Sequence, residues 1–408
     1  MPRLWLINQF SNTPDLSGHT RQYEFARDLV NVGWNVSVYA SDFNLSTRRY
    51  TKLSGRTLSF TEYPSSITWH WLWASPYRRN NWRRHLNLLS FCIHCILRIF
   101  IDYFVALFVR RSPDIILASS PQLPVAFFLL LFCRLFRIKF VFEVRDLWPQ
   151  VLIDQGGLSS RNPYVLILSF MESVLYRFSD HTIYLAKGVK DYLTDRGSEA
   201  NTWLPNGPDL SVFTYSPPAP PSKYFTVLYA GAHGAANDLS TVVSAARLIS
   251  KNRMPIRFLL VGDGAEKVSL VSSSSDLPNI IFHAPVSKES IYSFIVQADA
   301  ILLTLRDVPL FRYGVSPNKL YDAYAVGRPI ITNVAGHISN EINDHRLGFT
   351  ALPGNATSLA KAVVDLYETP FHERLEMSLR SRELAESFYS RSKVSKRLNS
   401  LLYSLLDT

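Results

Sequence analysis

Ser316, Pro317, Asn318, Lys319 and Asp322 are the residues of this 408-residue chain whose types and spacing best suit chemistry. A serine followed by a proline predicts a helix start. Ser316 is then the N-cap, and Pro317 takes the first helical position, where a missing N–H costs nothing. The free N–H groups and partial positive charge of such an end attract phosphate. Lys319 adds a full charge in the first turn, where it opposes the helix dipole, and a bound anion would account for that placement. Asp322 follows one turn later as an acceptor for sugar hydroxyls. Phosphate donors beside a hydroxyl acceptor suit a nucleotide-sugar.

Other residues fall at the ends of strands. Gly231, His233 and Gly234 follow one strand and open a helix, a second phosphate-loop position. Asn237 and Asp238 are expected to cap that helix. Gly262 and Gly264 form the next strand-end turn, structural in itself but with its backbone near the ligand. In the first half, Ser17-Gly18-His19-Thr20 precedes a long helix. Gly18 lets the backbone approach a ligand, although an ordinary turn glycine fits equally well, and the G-x-G-x-x-G pattern is absent. Arg145 and Asp146 stand directly after a buried strand, where functional residues concentrate. They either pair with each other or serve a site, Arg145 holding a phosphate and Asp146 orienting an acceptor hydroxyl. His19 is placed with them on the acceptor side. The run from Leu204 to Asp209 carries strong turn chemistry and reads as a structural crossover.

No H-E-x-x-H, Walker or G-x-S-x-G pattern is present. No group of His and carboxylates has metal spacing, so neither a metal nor a cofactor is expected. The net charge of +10 makes nucleic acid, an anionic membrane or a phosphorylated substrate the candidate partners. The lack of a nucleic-acid motif argues against the first. Cys92, Cys95 and Cys133 lie in apolar stretches, read as buried thiols, and suit a reducing cytosol. The N-terminus turns polar too soon for a signal peptide.

These residues need elements to position them. The first half alternates strands (4–8, 35–40, 67–71, 114–118, 139–144, 182–185) with helices, the first over 20–32. Four prolines between 217 and 221 read as an interdomain linker. The second half alternates more regularly, with strands at 225–230, 256–261, 280–283, 300–304 and 329–332. Helices are expected at 359–368, 373–388 and 392–405. Two such α/β arrays predict two doubly wound Rossmann-like domains facing a cleft, with ligands at the carboxyl ends of the strands. The expected boundaries are 1–212 (acceptor domain), 213–224 (linker), 225–388 (donor domain) and 389–408 (a helix packing back on the first domain).

The stretch 86–109 is long and apolar, but His94, Arg98 and Asp102 interrupt it on one helical face. Arg78, Arg79, Trp82, Arg83 and Arg84 precede it. Arginines mixed with interfacial aromatics read as a patch resting on anionic lipid. The alternatives are a packed helix with a solvated basic edge, or a true membrane span.

In their order and spacing, these motifs resemble glycosyltransferase family 4, the retaining group with the GT-B architecture. The matching pieces are the loop at Gly18, Arg145-Asp146-Leu147-Trp148-Pro149, Leu204 to Asp209, Tyr229-Ala230-Gly231, Val261-Gly262-Asp263-Gly264 and Ser316 to Pro329. The Arg-Asp-Leu-Trp-Pro run resembles the subgroup of bacterial N-acetylfucosaminyl transferases of O-antigen and capsule synthesis. The resemblance implies a nucleotide-sugar donor, UDP-linked by expectation. It implies a polyprenyl-diphosphate-linked saccharide as acceptor, in lipopolysaccharide or exopolysaccharide synthesis, and a cytoplasmic enzyme peripheral on the inner face of the plasma membrane. On this reading Gly18, Gly231, His233, Gly234, Gly262, Ser316, Pro317, Asn318, Lys319 and Asp322 bind the donor, and Lys319, Asp322 and Asp146 are catalytic. The family's Glu-x7-Glu pair is altered: Asp322 replaces the second carboxylate and Gly314 the first. A non-catalytic assembly subunit of the same fold, or a nucleotide-sugar epimerase, is the alternative.

Overall fold

Leu-Trp-Leu-Ile at 4–7 and Ile-Ile-Leu-Ala at 115–118 are buried along their whole length. Strands of that kind suit a parallel sheet covered on both faces by helices. The computed structural model describes residues 1–16, 18–45, 47–53, 57–78, 82–220 and 223–407. It contains two compact units, residues 1–185 with 189–204 and 395–408, and residues 186–188 with 205–394.

The first unit runs β1 (Arg3–Ile7), α1 (Arg21–Asn31), β2 (Asn35–Ser41), β3 (Ser59–Glu62), β4 (Thr68–Leu72) and α2 (Trp82–Phe108). It continues with β5 (Ile115–Ser119), α3 (Leu123–Phe136), β6 (Lys139–Val144), α4 (Gln150–Asp154), α5 (Pro163–Phe178), β7 (His181–Tyr184), α6 (Lys190–Thr194) and β8 (Asn201–Trp203). The sheet order is β3-β4-β2-β1-β5-β6-β7-β8. The pairs are parallel except β3, which runs antiparallel to β4. The order reverses between β1 and β5, and crevices for ligands open at such reversals.

The second unit runs β9 (Phe225–Ala230), α7 (Leu239–Lys251), β10 (Ile256–Val261), α8 (Lys267–Ser273), β11 (Ile280–His283), α9 (Lys288–Gln297) and β12 (Ala300–Leu303). Then come α10 (Pro309–Arg312), α11 (Asn318–Val326), β13 (Ile330–Thr332), α12 (His337–Asp344), β14 (Gly348–Thr350), α13 (Ala356–Glu368) and α14 (Phe371–Leu384). Its parallel sheet has the order β11-β10-β9-β12-β13-β14, with the reversal between β9 and β12. The core lies where α7 and α13 cover this sheet, around Val227, Phe258, Leu302, Val242 and Val363.

α15 (Arg391–Leu406) leaves the second unit and joins the first at Ser395. Leu398 and Leu402 are fully buried. Trp34 Nε1 donates to Asn399 Oδ1 at 2.8 Å, and Ser395 Oγ donates to Asp28 at 2.6 Å. From Ser395 on, the C-terminal helix packs within the N-terminal unit.

The division between units falls at Leu204/Pro205 rather than at 212/213. The chain leading into the prolines is held in place. Phe213 is fully buried, the Ser216 N–H bonds to Val326 O at 3.2 Å, and the Arg328 guanidinium donates to the carbonyls of Ser216, Ile295 and Val296. A fully buried arginine held by backbone carbonyls fixes this segment to the end of α11.

Candidate active site

Two glycine turns and one helix start converge at the carboxyl end of the second sheet. β9 ends at Ala230, and the Gly231 N–H bonds to Val261 O at 2.9 Å. The backbone at Gly231 passes so close to Gly262 that a Cβ on Gly262 would lie 1.9 Å from Gly231 O. Gly262 has φ +150° and Gly264 lies against the backbone of His233. The two turns therefore lock together only through glycines. Gly234 differs: its φ is −120° and a Cβ there meets nothing within 4 Å. No steric demand requires glycine at 234.

Lys319 reaches this loop. Its Nζ lies 4.0 Å from the centre of the buried Tyr229 ring, and a Cβ on Gly231 would lie 2.8 Å from it. The tyrosine face attracts the ammonium, while the Tyr229 hydroxyl is turned away to donate to Ala232 O at 2.8 Å. Among the described residues no carboxylate forms an ion pair with Lys319. The residue is half-buried, and desolvation lowers its pKa to about 7. A diphosphate beside it would favour the charged form and raise that value. The linkage has a definite sign: binding takes up a proton when the pH exceeds the free value, so affinity falls as pH rises. Nucleoside diphosphate binding followed by calorimetry is expected to weaken steadily from pH 7 to about 9.

The helix start is one residue later than the sequence predicts. α11 begins at Asn318 with Pro317 as its N-cap, and no side chain caps it. Ser316 is engaged elsewhere: its Oγ accepts from the Asn206 N–H at 3.1 Å and lies 3.0 Å from the Tyr321 hydroxyl. Asn206 Nδ2 also donates to Ser316 O at 2.7 Å. Ser316 therefore anchors the Leu204–Asp209 crossover, and that turn holds the helix start in place. Proline carries no side-chain acceptor, so the end is left without a side-chain cap. Asp322 is half-buried in α11, one turn beyond Lys319. Gly327 closes the helix with φ +79°, its N–H bonding to Ala323 O and Tyr324 O.

His233, expected among the donor-binding residues, shows no exposed ring face in this structure. It is fully buried, with neither ring nitrogen hydrogen-bonded. Desolvation first, then the charges of Lys267 and Lys319, lower its pKa despite Asp263, so the ring is neutral at pH 7. Its backbone holds the turns together: the N–H bonds to Asp263 O, and the carbonyl accepts from the Glu266 N–H. The residue supports the loop from below instead of offering a ring face to a ligand.

Gly314, where the family resemblance sets a carboxylate, has φ +99° and lies 3.6 Å, from a hypothetical Cβ, from the backbone nitrogen of Gly188. Gly188 in turn would place a Cβ 2.5 Å from Tyr313 O. The close backbone approach accounts for glycine at 188, and the positive φ accounts for it at 314.

In the first unit the predicted residues surround the ends of β1, β5 and β6. Gly18 has φ +135°, a Cβ there would strike Asn12, and the Asn12 N–H bonds to His19 O at 2.8 Å. Ser17 lies outside the described residues. His19 and Asp146 are exposed, and Arg145 is half-buried. The backbone N–H groups of Arg145 and Asp146 both donate to Ser120 Oγ, at 2.9 and 3.2 Å. No ion pair joins the two side chains; Arg145 instead contacts Gln22 Oε1 at 3.4 Å.

Beneath them lies a buried network not anticipated from the sequence. Glu143 accepts from Arg21 Nε at 2.9 Å, Gln22 Nε2 at 3.0 Å and Ser119 Oγ at 2.7 Å, and Arg21 also donates to Leu204 O at 2.8 Å. Desolvation pushes the Glu143 pKa up, but Arg21, Arg145 and Ser119 outweigh it and hold the pKa below the ordinary 4.5. The only sequence signal is a glutamate within the apolar run that follows Lys139 in β6. Glu143→Leu strands a buried guanidinium and is expected to cost about 3–5 kcal/mol, with Glu143→Gln much milder. Denaturant unfolding checks this. Because the folded pKa is lowered, the stabilisation is full well above pH 4.5 and is lost as pH falls through the folded value.

Residues 18–207 match the "Glycosyl transferase 4-like domain" model, and residues 224–369 match "Glycosyl transferases group 1". The chain belongs to the GT-B glycosyltransferases. It is 22% identical over 278 residues to the probable glycosyltransferase WbjE of Pseudomonas aeruginosa, covering 64% of this chain and 67% of that one. In fold this glycosyltransferase is similar to sucrose-phosphate synthase from Thermosynechococcus elongatus, with TM-score 0.75, 15% identity and 100% of both chains covered. It is also similar to Anabaena HepE in complex with UDP and glucose, with TM-score 0.67, 15% identity, and 99% and 100% covered.

Proposed function

We propose that this glycosyltransferase moves a sugar from a UDP-sugar to a polyprenyl-diphosphate-linked saccharide, with retention at the anomeric carbon. The setting is surface polysaccharide synthesis, O-antigen or exopolysaccharide, and an N-acetylated deoxyhexosamine is the lead donor sugar. The observation that carries the reading is Lys319: an ammonium above a tyrosine ring, at a glycine loop and an uncapped helix start, with no ion-paired carboxylate among the described residues. That arrangement suits a diphosphate. The UDP in HepE supports the choice of base.

In the reaction the bond from the anomeric carbon to the β-phosphate oxygen breaks. A bond to the acceptor oxygen forms, and the acceptor proton passes to the departing phosphate. Lys319 and the α11 start stabilise the developing negative charge, a task metal ions perform elsewhere, so no metal is invoked. Asp322 holds a donor hydroxyl. Arg145, Asp146 and His19 receive the acceptor, which is presented at the inner face of the plasma membrane. Arg78, Trp82, Arg83 and Arg84 lie toward anionic lipid; Arg79, assigned the same contact, lies outside the described residues. Gly314 does not favour a non-catalytic assembly subunit, because its backbone conformation explains it. No set of acid and base side chains favours an epimerase. The test is incubation with a panel of nucleotide-sugars and lipid-linked acceptor, following nucleoside diphosphate release and the product anomer by NMR. Release with a UDP-sugar and a retained anomer are expected; no release with any donor sinks the reading.

A further inference from the structure

α2 is apolar on both faces: Phe91, Cys92, Cys95, Ile99 and Tyr103 are buried against the unit, and a second apolar stripe is exposed. It is 27 residues long, about 40 Å at the standard rise. Asn87, His94 and Asp102 face inward as well. Asn87 Nδ2 donates to Ser75 O and its Oδ1 accepts from Gln9, both at 2.7 Å. Asp102 accepts from the Tyr39 hydroxyl at 3.1 Å and from Arg98 at 2.8 Å. His94 lies edge-on to Trp73. On the opposite side Leu89, Ile93, Leu97 and Ile101 are all exposed, at a helical repeat.

The exposed apolar face continues across two more helices. α3 packs between α2 and α5, joined through Phe100–Phe132 and Phe127–Phe170 ring contacts. Leu135 is 73% exposed on α3 and Phe170 is 63% exposed on α5, against 61% for Ile101. A face built from three adjacent helices exceeds the scattered exposed apolar residues normal for a soluble surface.

Its charge selects the occupant. The acidic side chains of α2, α3 and α5 are Asp102 and Glu172, and both point inward, Glu172 accepting from Tyr176 and Tyr192. Exposed arginines stand at the helix ends and in the adjoining turns, including Arg83, Arg110, Arg111, Arg137, Arg161 and Arg177. An apolar face without negative charge, rimmed by arginine, complements hydrocarbon beneath anionic headgroups.

We infer that the α2–α3–α5 face of the N-terminal unit inserts into the acyl region of an anionic bilayer, with the three helices lying in the membrane plane. This goes beyond electrostatic contact by residues 78–84, because insertion resists salt and charge pairing does not. α2 does not cross the bilayer, since Asn87 and Asp102 tie its other face to the rest of the unit. The inference does not depend on the acceptor assignment.

The full-length protein is floated in density gradients with vesicles of phosphatidylcholine and about one-third phosphatidylglycerol, containing no glycan lipid. Flotation is expected at about 0.1 M NaCl and is expected to persist at about 1 M. The combined variant Leu97→Ser, Ile101→Ser, Leu135→Ser, Phe170→Ser is expected to lose at least tenfold in high-salt binding. Its thermal unfolding is expected to stay close to that of the wild type, because all four side chains are exposed. A second variant, Arg83→Gln with Arg84→Gln, is expected to weaken only low-salt binding. No flotation of the wild type, flotation lost at high salt, or unchanged flotation of the four-serine variant overturns the inference. A detergent-free dimer that the four serines dissociate, without vesicle binding by the wild type, also overturns it and makes the face a subunit interface.

Discussion

Lys319→Ala is expected to weaken nucleoside diphosphate binding by at least about tenfold while leaving thermal stability unchanged or slightly raised. The two halves of this result come from one fact. Lys319 is partly desolvated and rests on a tyrosine ring with no ion pair among the described residues, so its charge is held at some cost in the empty protein. Removing it relieves that cost. With a diphosphate bound, the same charge makes a charge-assisted hydrogen bond worth about 1.5–3 kcal/mol. A lysine serving only the fold gives the reverse pattern, with lost stability and intact binding. Calorimetry with UDP and a melting curve on the same preparation separate the two.

Gly262→Ala is expected to abolish donor binding and to destabilise the C-terminal unit by about 2–4 kcal/mol. The added methyl meets the Gly231 carbonyl oxygen at 1.9 Å, and φ is +150° at that position. A backbone carbonyl cannot swing aside as a side chain can. The Gly231 turn must move, and Lys319 loses its seat over Tyr229. Gly234→Ala in the same loop is the control, expected to change stability by less than about 0.5 kcal/mol, because its φ is ordinary and the space is open. Denaturant unfolding and UDP calorimetry of the pair check the contrast. Equal effects of the two substitutions would show that loop position, and not the close approach of two backbones, matters.

The strands at 139–144, 225–230 and 256–261 lie where their apolar runs place them, because these runs are largely buried inside parallel sheets. β3, β8 and β14 were not legible. They are short edge strands with half-exposed residues, and tertiary pairing decides them more than local propensity does. Ser316 was read as a cap from its type. A hydroxyl bonds whichever N–H the fold brings near, and here that is Asn206, distant in sequence. His233 stands in a glycine loop that follows a strand, and only packing reveals that Gly262 and Gly264 lie against it and bury it. Arg328 and the Arg21–Glu143 pair were missed for a related reason. Their partners are backbone carbonyls and residues on other elements, which spacing along the chain cannot show. The exposed apolar stripe of α2 was half legible: the period showed a polar-containing face and an apolar one, but which residues meet water depends on the sheet beside the helix.

The central claim is that the Gly231–Gly262 loop and Lys319 hold the diphosphate of a nucleotide-sugar. The most direct measurement is thermal unfolding of wild type and Lys319→Ala with a UDP-sugar at a concentration saturating for the wild type. A ligand at one hundred times its dissociation constant adds about 2.7 kcal/mol to the folded state. The account predicts a clear rise in the wild-type melting temperature and little or none in the variant at the same concentration. An equal rise in both, or no rise in the wild type with any nucleotide-sugar, would contradict it.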